Sequence, residues 1–204
     1  MPPAEAADGP DAADQAPIAP EAFEVRPARP RDAASFLGHY RAVAEERRFI
    51  RTERVHRALR HYRRAFADSW TQEHVHLVAV AAGRIIGHLG AIREDQETTR
   101  HVATLGMAVS DEWRGRGVGS ALLAAALDWA RRVGVEKMAL TVFPDNDRAI
   151  ALYRKFGFVE EGRLSGHSKK SIGYRDEVIM GRWLIPPPMA VPHQEPWGPA
   201  EPPT

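Results

Sequence analysis

The residues best suited to chemistry lie between positions 109 and 120, where a loop contains three alternating glycines, Gly115, Gly117 and Gly119. The loop follows an apolar run and precedes a helical pattern. The first turn of a helix has four amide donors without internal partners and the positive end of the helix dipole. Glycine leaves these amides open to an anion, and Arg114 and Arg116 add forked donors and charge. The segment therefore predicts a phosphate site, with a purely structural tight turn as the alternative.

The spacing of these glycines narrows the kind of phosphate site. Gly115 and Gly117 are followed by Ser120 where a dinucleotide fingerprint would carry its third glycine. No Gly-Lys-Ser/Thr sequence follows, as a nucleoside triphosphate loop would require. Neither a Rossmann dehydrogenase nor a P-loop enzyme is supported.

Asn146 and Tyr153 form a second candidate pair, because they are seven residues apart in a predicted helix. Seven residues make about two helical turns, so both side chains lie on one face, about 10 Å apart along the axis. One ligand can therefore contact both. The alternatives are a helix N-cap for Asn146 and a core aromatic residue with a hydrogen-bonded hydroxyl for Tyr153.

The elements that must position these residues follow from the hydrophobic periodicity. Antiparallel strands in the first half lead into a strand–helix–strand–helix unit, which is an α+β order. Strands are predicted over residues 23–26, 76–81, 85–92, 102–109, 138–142, 158–164 and 177–184, and helices over 30–44, 55–69, 117–133 and 146–155. A polar loop is predicted between the last two strands.

Composition excludes several classes of protein. The chain has 204 residues, 28 Lys and Arg, 27 Asp and Glu, and no cysteine. The absence of cysteine excludes disulfide scaffolds, thiolate-zinc and iron–sulfur sites, and a cysteine nucleophile. No apolar run approaches the roughly 18–20 residues that a membrane span needs. The histidine spacings, such as His56 with His61, do not suit a metal site, so none is expected, and we predict a soluble cytoplasmic protein.

The charges and prolines divide the chain into three parts. Residues 1–22 are acidic and rich in proline and alanine, and residues 185–204 are rich in proline, so both are predicted to be disordered tails. All 28 basic residues lie in the predicted domain, residues 23–184, with only 20 acidic ones. This basic domain suggests an anionic partner, although a solubilising basic surface is an equal alternative.

The two motifs together resemble those of the GNAT N-acetyltransferases. Arg114-x-x-Gly117-x-Gly119, between a strand and an amphipathic helix, is similar to the family's acetyl-coenzyme A motif. The segment from Asn146 to Phe158, with Leu152-Tyr153 and Gly157-Phe158, is similar to its next motif. The resemblance extends over residues 23–184. It implies a mixed, mostly antiparallel sheet of six or seven strands, splayed between the fourth and fifth, with helices on both faces.

The resemblance also implies roles for individual residues. Backbone groups of Met107, Ala108 and Val109 would pair with the pantetheine arm. Asn146 would contact the coenzyme, and the Tyr153 hydroxyl would protonate the departing thiolate. The residues expected to surround the pyrophosphate are Arg114, Gly115, Arg116, Gly117, Val118, Gly119 and Ser120.

The base that removes the amine proton is less defined by the sequence. A lysine-like amine has a pKa near 10.4, and only the neutral form attacks a thioester. Many relatives have a glutamate on the fourth strand where this chain has Thr104, which cannot act as a base. Glu45 and Glu46 are therefore the candidates, with Glu53 and His101 as further possibilities. Each of them could equally be a solvated side chain.

We predict an acetyl-CoA-dependent N-acetyltransferase that transfers acetyl directly to a primary amine, without an acyl-enzyme. The acceptor would be amino-acid-like, another small molecule or a protein amine. The alternatives are a non-catalytic acyl-CoA-binding module and a basic protein that binds nucleic acid, the less favoured of the two. A membrane partner is not expected, and a homodimer is considered because family members are often dimers.

Overall fold

A computed structural model describes residues 22–186, and the two predicted tails lie almost entirely outside the described residues. The strands are β1 (Glu24–Pro27), β2 (His74–Ala81), β3 (Arg84–Arg93), β4 (Val102–Val109), β5 (Lys137–Val142), β6 (Val159–Lys170) and β7 (Gly173–Trp183). The α-helices are α1 (Ala33–Glu45), α2 (Leu59–Ala65), α3 (Val118–Arg132) and α4 (Asp147–Lys155). Single turns of 3-10 helix occupy Pro30–Asp32, Glu97–Thr99 and Asp111–Trp113.

The strands form one mixed seven-stranded sheet, as predicted, and their order is β1-β2-β3-β4-β5-β7-β6. All neighbours are antiparallel except β4 and β5. This parallel pair has only three paired positions, from Val102 with Lys137 to Thr104 with Ala139. Beyond them the two strands diverge, so the residues after Thr104 on β4 have no strand neighbour on that side. We call this opening the seam.

Each face of the sheet is covered by helices with its own core. On one face, α3 contributes the buried side chains of Leu122, Ala126 and Trp129 against β2, β3 and β4. On the other face, Phe36 of α1 packs against Tyr62 of α2 and against Phe66, directly after α2. Because each face of the sheet packs against its own core, the strands on either side of the seam are held in position by helices on both faces.

The last two strands are longer than predicted. The predicted polar loop is strand, and β6 and β7 form a hairpin that turns at Ser171 and Ile172. Their polar side chains bond across the pair: Asp176 accepts from the backbone N–H of Gly166 at 2.8 Å and from the Arg163 side chain at 3.2 Å. The hydrophobic pattern missed this extension because polar pairs stabilise the strands there.

The second helix is shorter than predicted, since only Leu59–Ala65 of the predicted 55–69 is helical. Ala58 is extended (ψ 158°), so the helix begins directly after it. The segment before α2 instead runs beside the sheet, and Arg51 and Thr52 from it reach the seam.

Among the described residues, no helix is both long and apolar enough to cross a membrane. Within the same residues, no group of three or more His, Asp or Glu side chains is arranged to hold a metal ion.

Candidate active site

A cavity of about 1220 Å³ fills the seam. Its walls come from both diverging strands, from the loop before α3, from α4 and from the segment after α1. Of the predicted site residues, those that line it are Met107, Ala108, Val109, Arg114, Gly115, Gly117, Gly119, Ser120, Asn146 and Tyr153. The fold therefore brings both sequence motifs to one place.

The open edge of β4 presents backbone groups to this cavity. The Ser110 N–H donates to the Ile86 carbonyl, and the Val102 carbonyl accepts from the Glu94 N–H, so even-numbered residues point their backbone groups toward β3. Alternation along a strand then turns the backbone groups of Leu105, Met107 and Val109 toward the seam. Of the predicted triplet, Met107 presents its N–H and carbonyl to a ligand and Val109 only its N–H, because the Val109 carbonyl accepts from Arg114 Nε. The backbone groups of Ala108 face β3.

The start of α3 presents a run of amides to the same cavity. Gly115 and Gly117 have φ of 81° and 86°, the left-handed region that favours glycine. Gly117 is the N-cap and no side chain caps the helix. The first bond within the helix runs from the Ala121 N–H to the Gly117 carbonyl at 3.0 Å, so the amides of Val118, Gly119 and Ser120 have no helical partner. Free amides and the positive end of a helix dipole at one point favour negative charge.

Two predicted members of this loop have other surroundings. The guanidinium of Arg116 lies over the Trp113 ring, 5.5 Å from its centroid, and Arg116 does not line the cavity. The side chain of Val118 is buried in the core near Gly87, where a Cβ built on the glycine would lie 3.0 Å from Val118 Cγ1. Val118 can contribute only its amide.

Arg114 is already engaged on three sides. Its Nε donates to the Val109 carbonyl at 3.0 Å, and its two terminal nitrogens donate to Asp111 at 2.7 Å and to Glu46 at 2.6 Å. This network fixes the end of β4 to the end of α1. Its guanidinium contributes positive charge at the cavity wall while orienting the loop.

The carboxylates predicted as bases do not face the central cavity. Glu46 is held by Arg114, and Glu45 lines a separate surface hollow of about 670 Å³ together with Glu53. Glu53 accepts hydrogen bonds from the Ser171 backbone and hydroxyl. His101 stacks on Trp183, at the other end of β4. None of these four side chains lines the cavity in the seam.

Asn146 and Tyr153 both reach the cavity from α4. Asn146 caps the helix, with its Oδ1 accepting from the Ala149 N–H at 3.3 Å, so the predicted alternative applies to it as well. Tyr153 is 6% exposed and its ring packs on Phe158. The Tyr153 hydroxyl has no hydrogen-bond partner within residues 22–186. Every fully buried polar side-chain atom in those residues does have a partner, so this hydroxyl is not fully buried. It opens onto the cavity that Tyr153 lines. Burial raises the pKa of Tyr153 to about 12, which keeps the phenol protonated.

A buried carboxylate that no sequence pattern singled out lies on the opposite wall, where the half-exposed Arg51 side chain bonds it. Glu177 of β7 is 1% exposed and accepts from Arg51 Nε at 2.7 Å and from the Ser168 hydroxyl. Burial alone would raise the pKa of Glu177, but the hydrogen bonds from Arg51 and Ser168 outweigh it and lower the pKa to about 2. Glu177 directly precedes the apolar run Val178-Ile179-Met180, and its partner Arg51 lies 126 residues away in the chain.

Glu177→Gln is expected to remove an acid-sensitive part of the stability. The folded pKa of about 2 lies below the usual 4.5, so the carboxylate stabilises the fold above about pH 4.5 and loses this effect as the pH falls to about 2. Urea unfolding between pH 7 and pH 2 should show a steeper decline for the wild type than for Glu177→Gln. Glu160→Gln, at an exposed position, is the control, and identical slopes for wild type and Glu177→Gln would contradict the assignment.

The lining carries more positive than negative charge. The basic lining residues are Arg48, Arg51, Arg57, Arg114, Arg148 and Lys155, and the acidic ones are Asp111, Asp145, Asp147 and Glu177. Such a lining favours anionic ligands over cationic ones.

Comparison with known proteins agrees with this geometry. Residues 40–158 match the model of the Acetyltransferase (GNAT) family. The chain is 36% identical over 110 residues to the L-amino acid N-acetyltransferase AaaT of Escherichia coli, covering 52% of this chain and 66% of that protein. It is also 36% identical over 99 residues to the N-alpha-acetyltransferase RimI of Mycobacterium tuberculosis, covering 48% and 61%. The matches thus span just under two thirds of the length of these relatives.

Solved structures show the same architecture. A GNAT-family acetyltransferase from Streptococcus pneumoniae superposes with a TM-score of 0.74 at 25% identity, covering 79% of this chain and 99% of that one. A ribosomal-protein-alanine N-acetyltransferase from Brucella melitensis gives a TM-score of 0.70 at 26% identity, with the same coverage. The fold, including the splay between β4 and β5, is therefore shared with these proteins.

Proposed function

This chain belongs to the GNAT acetyltransferase family, and we propose that it transfers the acetyl group of acetyl-CoA directly to a primary amine. The observation that carries the proposal is the meeting of three features in one cavity. These are the open β4 edge at Met107, the uncapped amides at the start of α3, and the unpartnered hydroxyl of Tyr153. Each suits a different part of a thioester coenzyme.

The parts of the site divide the coenzyme between them. The amides of residues 115–120 and the α3 dipole suit the pyrophosphate, because both favour negative charge. The backbone groups of Met107 and Val109 suit the amide-containing pantetheine arm, which can pair with an open strand edge. Asn146 and Tyr153 then lie along the arm on α4. Acetyl-CoA enters this scheme as a substrate, and no metal is needed.

The chemistry follows from these positions. Attack of a neutral amine on the thioester places negative charge on the acyl oxygen, and a strand N–H near Met107 can stabilise it. As the carbon–sulfur bond breaks, the sulfur takes a proton from the Tyr153 hydroxyl, which is protonated at neutral pH. The amine nitrogen loses two protons in all, the sulfur gains one, and one proton is released to solvent. No covalent enzyme intermediate is required.

The acceptor we propose is the amine of an amino acid or of a peptide N-terminus. The excess of basic lining residues, among them Arg48 and Arg57, supports an acceptor that also carries a carboxylate. The matched L-amino acid and N-alpha-acetyltransferases are consistent with it. The cytoplasmic location and the homodimer considered above stay predictions, and light scattering coupled to gel filtration tests the homodimer.

An amine panel tests the proposal. Thiol release from acetyl-CoA should be measured with the twenty L-amino acids, a short peptide with a free N-terminus, and a lysine blocked at its α-amine. We expect turnover with at least one of them and only background release without amine. Calorimetric binding of acetyl-CoA with no turnover on any member would favour a non-catalytic acyl-CoA-binding protein. A salt-sensitive electrophoretic mobility shift of mixed nucleic acid would favour a basic protein that binds nucleic acid.

A further inference from the structure

Two histidines and a serine form a hydrogen-bonded row beside the cavity. His39 of α1 is 6% exposed. Its Nε2 lies 2.9 Å from Nδ1 of His88 on β3, and its Nδ1 lies 2.9 Å from the hydroxyl of Ser110, just after β4. Residues from three separate elements thus meet in one line, which the predicted site did not include.

The Nε2 atom of His88 opens onto the cavity in the seam. His88 lines the cavity and uses Nδ1 for His39, leaving Nε2 without a partner among residues 22–186. Every fully buried side-chain nitrogen in those residues has a hydrogen-bond partner, so the unbonded Nε2 is not fully buried and is accessible from the cavity. The rings of Phe36 and Tyr40 contact the His88 ring edge-on, with centroids at 4.9 and 5.3 Å, and fix its orientation.

Both imidazoles are neutral at pH 7. Burial, with a contribution from Arg114, lowers the pKa of His39 to about 4. Burial also lowers the pKa of His88 well below its usual value, with His39 and His76 adding to the effect. The titratable or charged groups around the row are His39 and Tyr40 on α1, His76 on β2, and Arg114 after β4. This setting leaves a lone pair available and does not trap a proton as a stable cation.

We propose that His88, His39 and Ser110 form the relay that removes the first proton from the acceptor ammonium. The inference rests on the proposed function. The ammonium N–H bond breaks as its proton binds His88 Nε2, and the Nδ1 proton of His88 passes to His39 Nε2. The Nδ1 proton of His39 passes to the Ser110 hydroxyl, whose own proton leaves to water, because Ser110 is partly exposed. Return to the starting tautomers completes the cycle, with one proton moved from the amine to solvent.

The relay resolves the missing base. None of the predicted carboxylates faces the cavity, and Thr104 donates its hydroxyl to Glu94 at 3.2 Å. Glu94 does not line the cavity. Of the carboxylates that do, Glu177 is bonded to Arg51, Asp111 to Arg114 and Asp145 to Arg175, and Asp147 lies in the first turn of α4. His88 lines the cavity as well. His88 would be a catalytic residue, and His39 and Ser110 would act through it.

His88→Gln is expected to lower kcat/KM for the best amine of the panel by about 10²-fold at pH 7, the scale of general-base catalysis. Binding of acetyl-CoA, measured by calorimetry, should change by less than about twofold because the thioester contacts remain. The deficit should shrink as the pH rises through the pKa of the amine itself, about 7.7–8.0 for a peptide N-terminus, since a neutral amine needs no relay. A purely structural defect would not follow the amine's pKa.

Further variants separate the relay from its alternatives. His39→Gln should show the same pH-dependent deficit in smaller measure, and added imidazole should restore activity to His88→Ala. Glu94→Gln should retain wild-type rates. If His88→Gln unfolds, the His39→Gln profile and imidazole rescue decide the question.

Several results would overturn the relay. Activity of His88→Gln and His39→Gln within about twofold of wild type would remove it while leaving the proposed function intact. A large loss in Glu94→Gln alone would transfer the role to that carboxylate. Wild-type protein that binds acetyl-CoA but acetylates no amine would refute the proposed function and the relay with it.

Discussion

Tyr153→Phe is expected to lower kcat by about 10²- to 10⁴-fold, the range for loss of a general acid. The substitution removes only the hydroxyl that opens onto the cavity and keeps the ring that packs on Phe158. Affinity for acetyl-CoA should therefore stay within about twofold, and the melting temperature should hardly change. Because burial raises the pKa of Tyr153 to about 12, the wild-type rate should not decline through ionisation of this phenol below about pH 11.

Steady-state kinetics on the best amine, with calorimetry for the coenzyme, measures this prediction. Tyr174→Phe is the control, since Tyr174 is 70% exposed and lies outside the cavity. A Tyr153→Phe enzyme with nearly normal kcat would show that the sulfur obtains its proton elsewhere. A variant with normal kcat but weakened coenzyme binding would reassign the hydroxyl to binding.

Gly117→Ala is expected to weaken acetyl-CoA binding by about 10- to 100-fold. Its φ of 86° is costly for any residue with a Cβ, by about 1–2 kcal/mol. Relaxation of this strain would turn the first amides of α3 away from their common point. Each hydrogen bond to a charged group contributes about 1.5–3 kcal/mol, so loss of one or two accounts for the expected change.

Gly134→Ala provides a matched control. Gly134 follows α3 with φ of 72°, and a Cβ at either glycine meets no atom within 4 Å. Both variants should therefore lose similar stability in denaturant unfolding, while only Gly117→Ala should lose affinity in calorimetry. Equal coenzyme affinity for the two variants would show that the amides of this loop do not hold the pyrophosphate.

The parts of the site that the sequence predicted depend on neighbours in the chain. Alternating glycines before a helix predicted open amides, and Gly115 and Gly117 adopt left-handed conformations in this loop. Asn146 caps the helix that it precedes. Placing Tyr153 two turns later needs only helical periodicity. The mixed sheet, with its splay between the fourth and fifth strands, followed from the family resemblance.

The parts that the sequence missed depend on contacts between distant segments. Arg114 meets Glu46 across 68 residues, and this contact holds Glu46 at the end of α1, where it does not line the cavity. His39 meets His88 across 49 residues. No local pattern shows where the end of α1 lies against the sheet. From the sequence, a solvated carboxylate there could not be distinguished from a catalytic base. The polar pairs of β6 and β7 were hidden for the same reason.

The three-position pairing of β4 with β5 has a consequence for aggregation. An open strand edge usually invites pairing with another protein chain, which is why edges at the outside of sheets are protected. Here the unpaired stretch of β4 lies in the middle of the sheet, with helices above and below it. A thin, flexible molecule can enter lengthwise, whereas a strand that belongs to a folded neighbour would bring its own sheet into collision with α3 and α1. The unpaired N–H and C=O groups of β4 can thus stay accessible to small molecules without promoting aggregation with other protein chains.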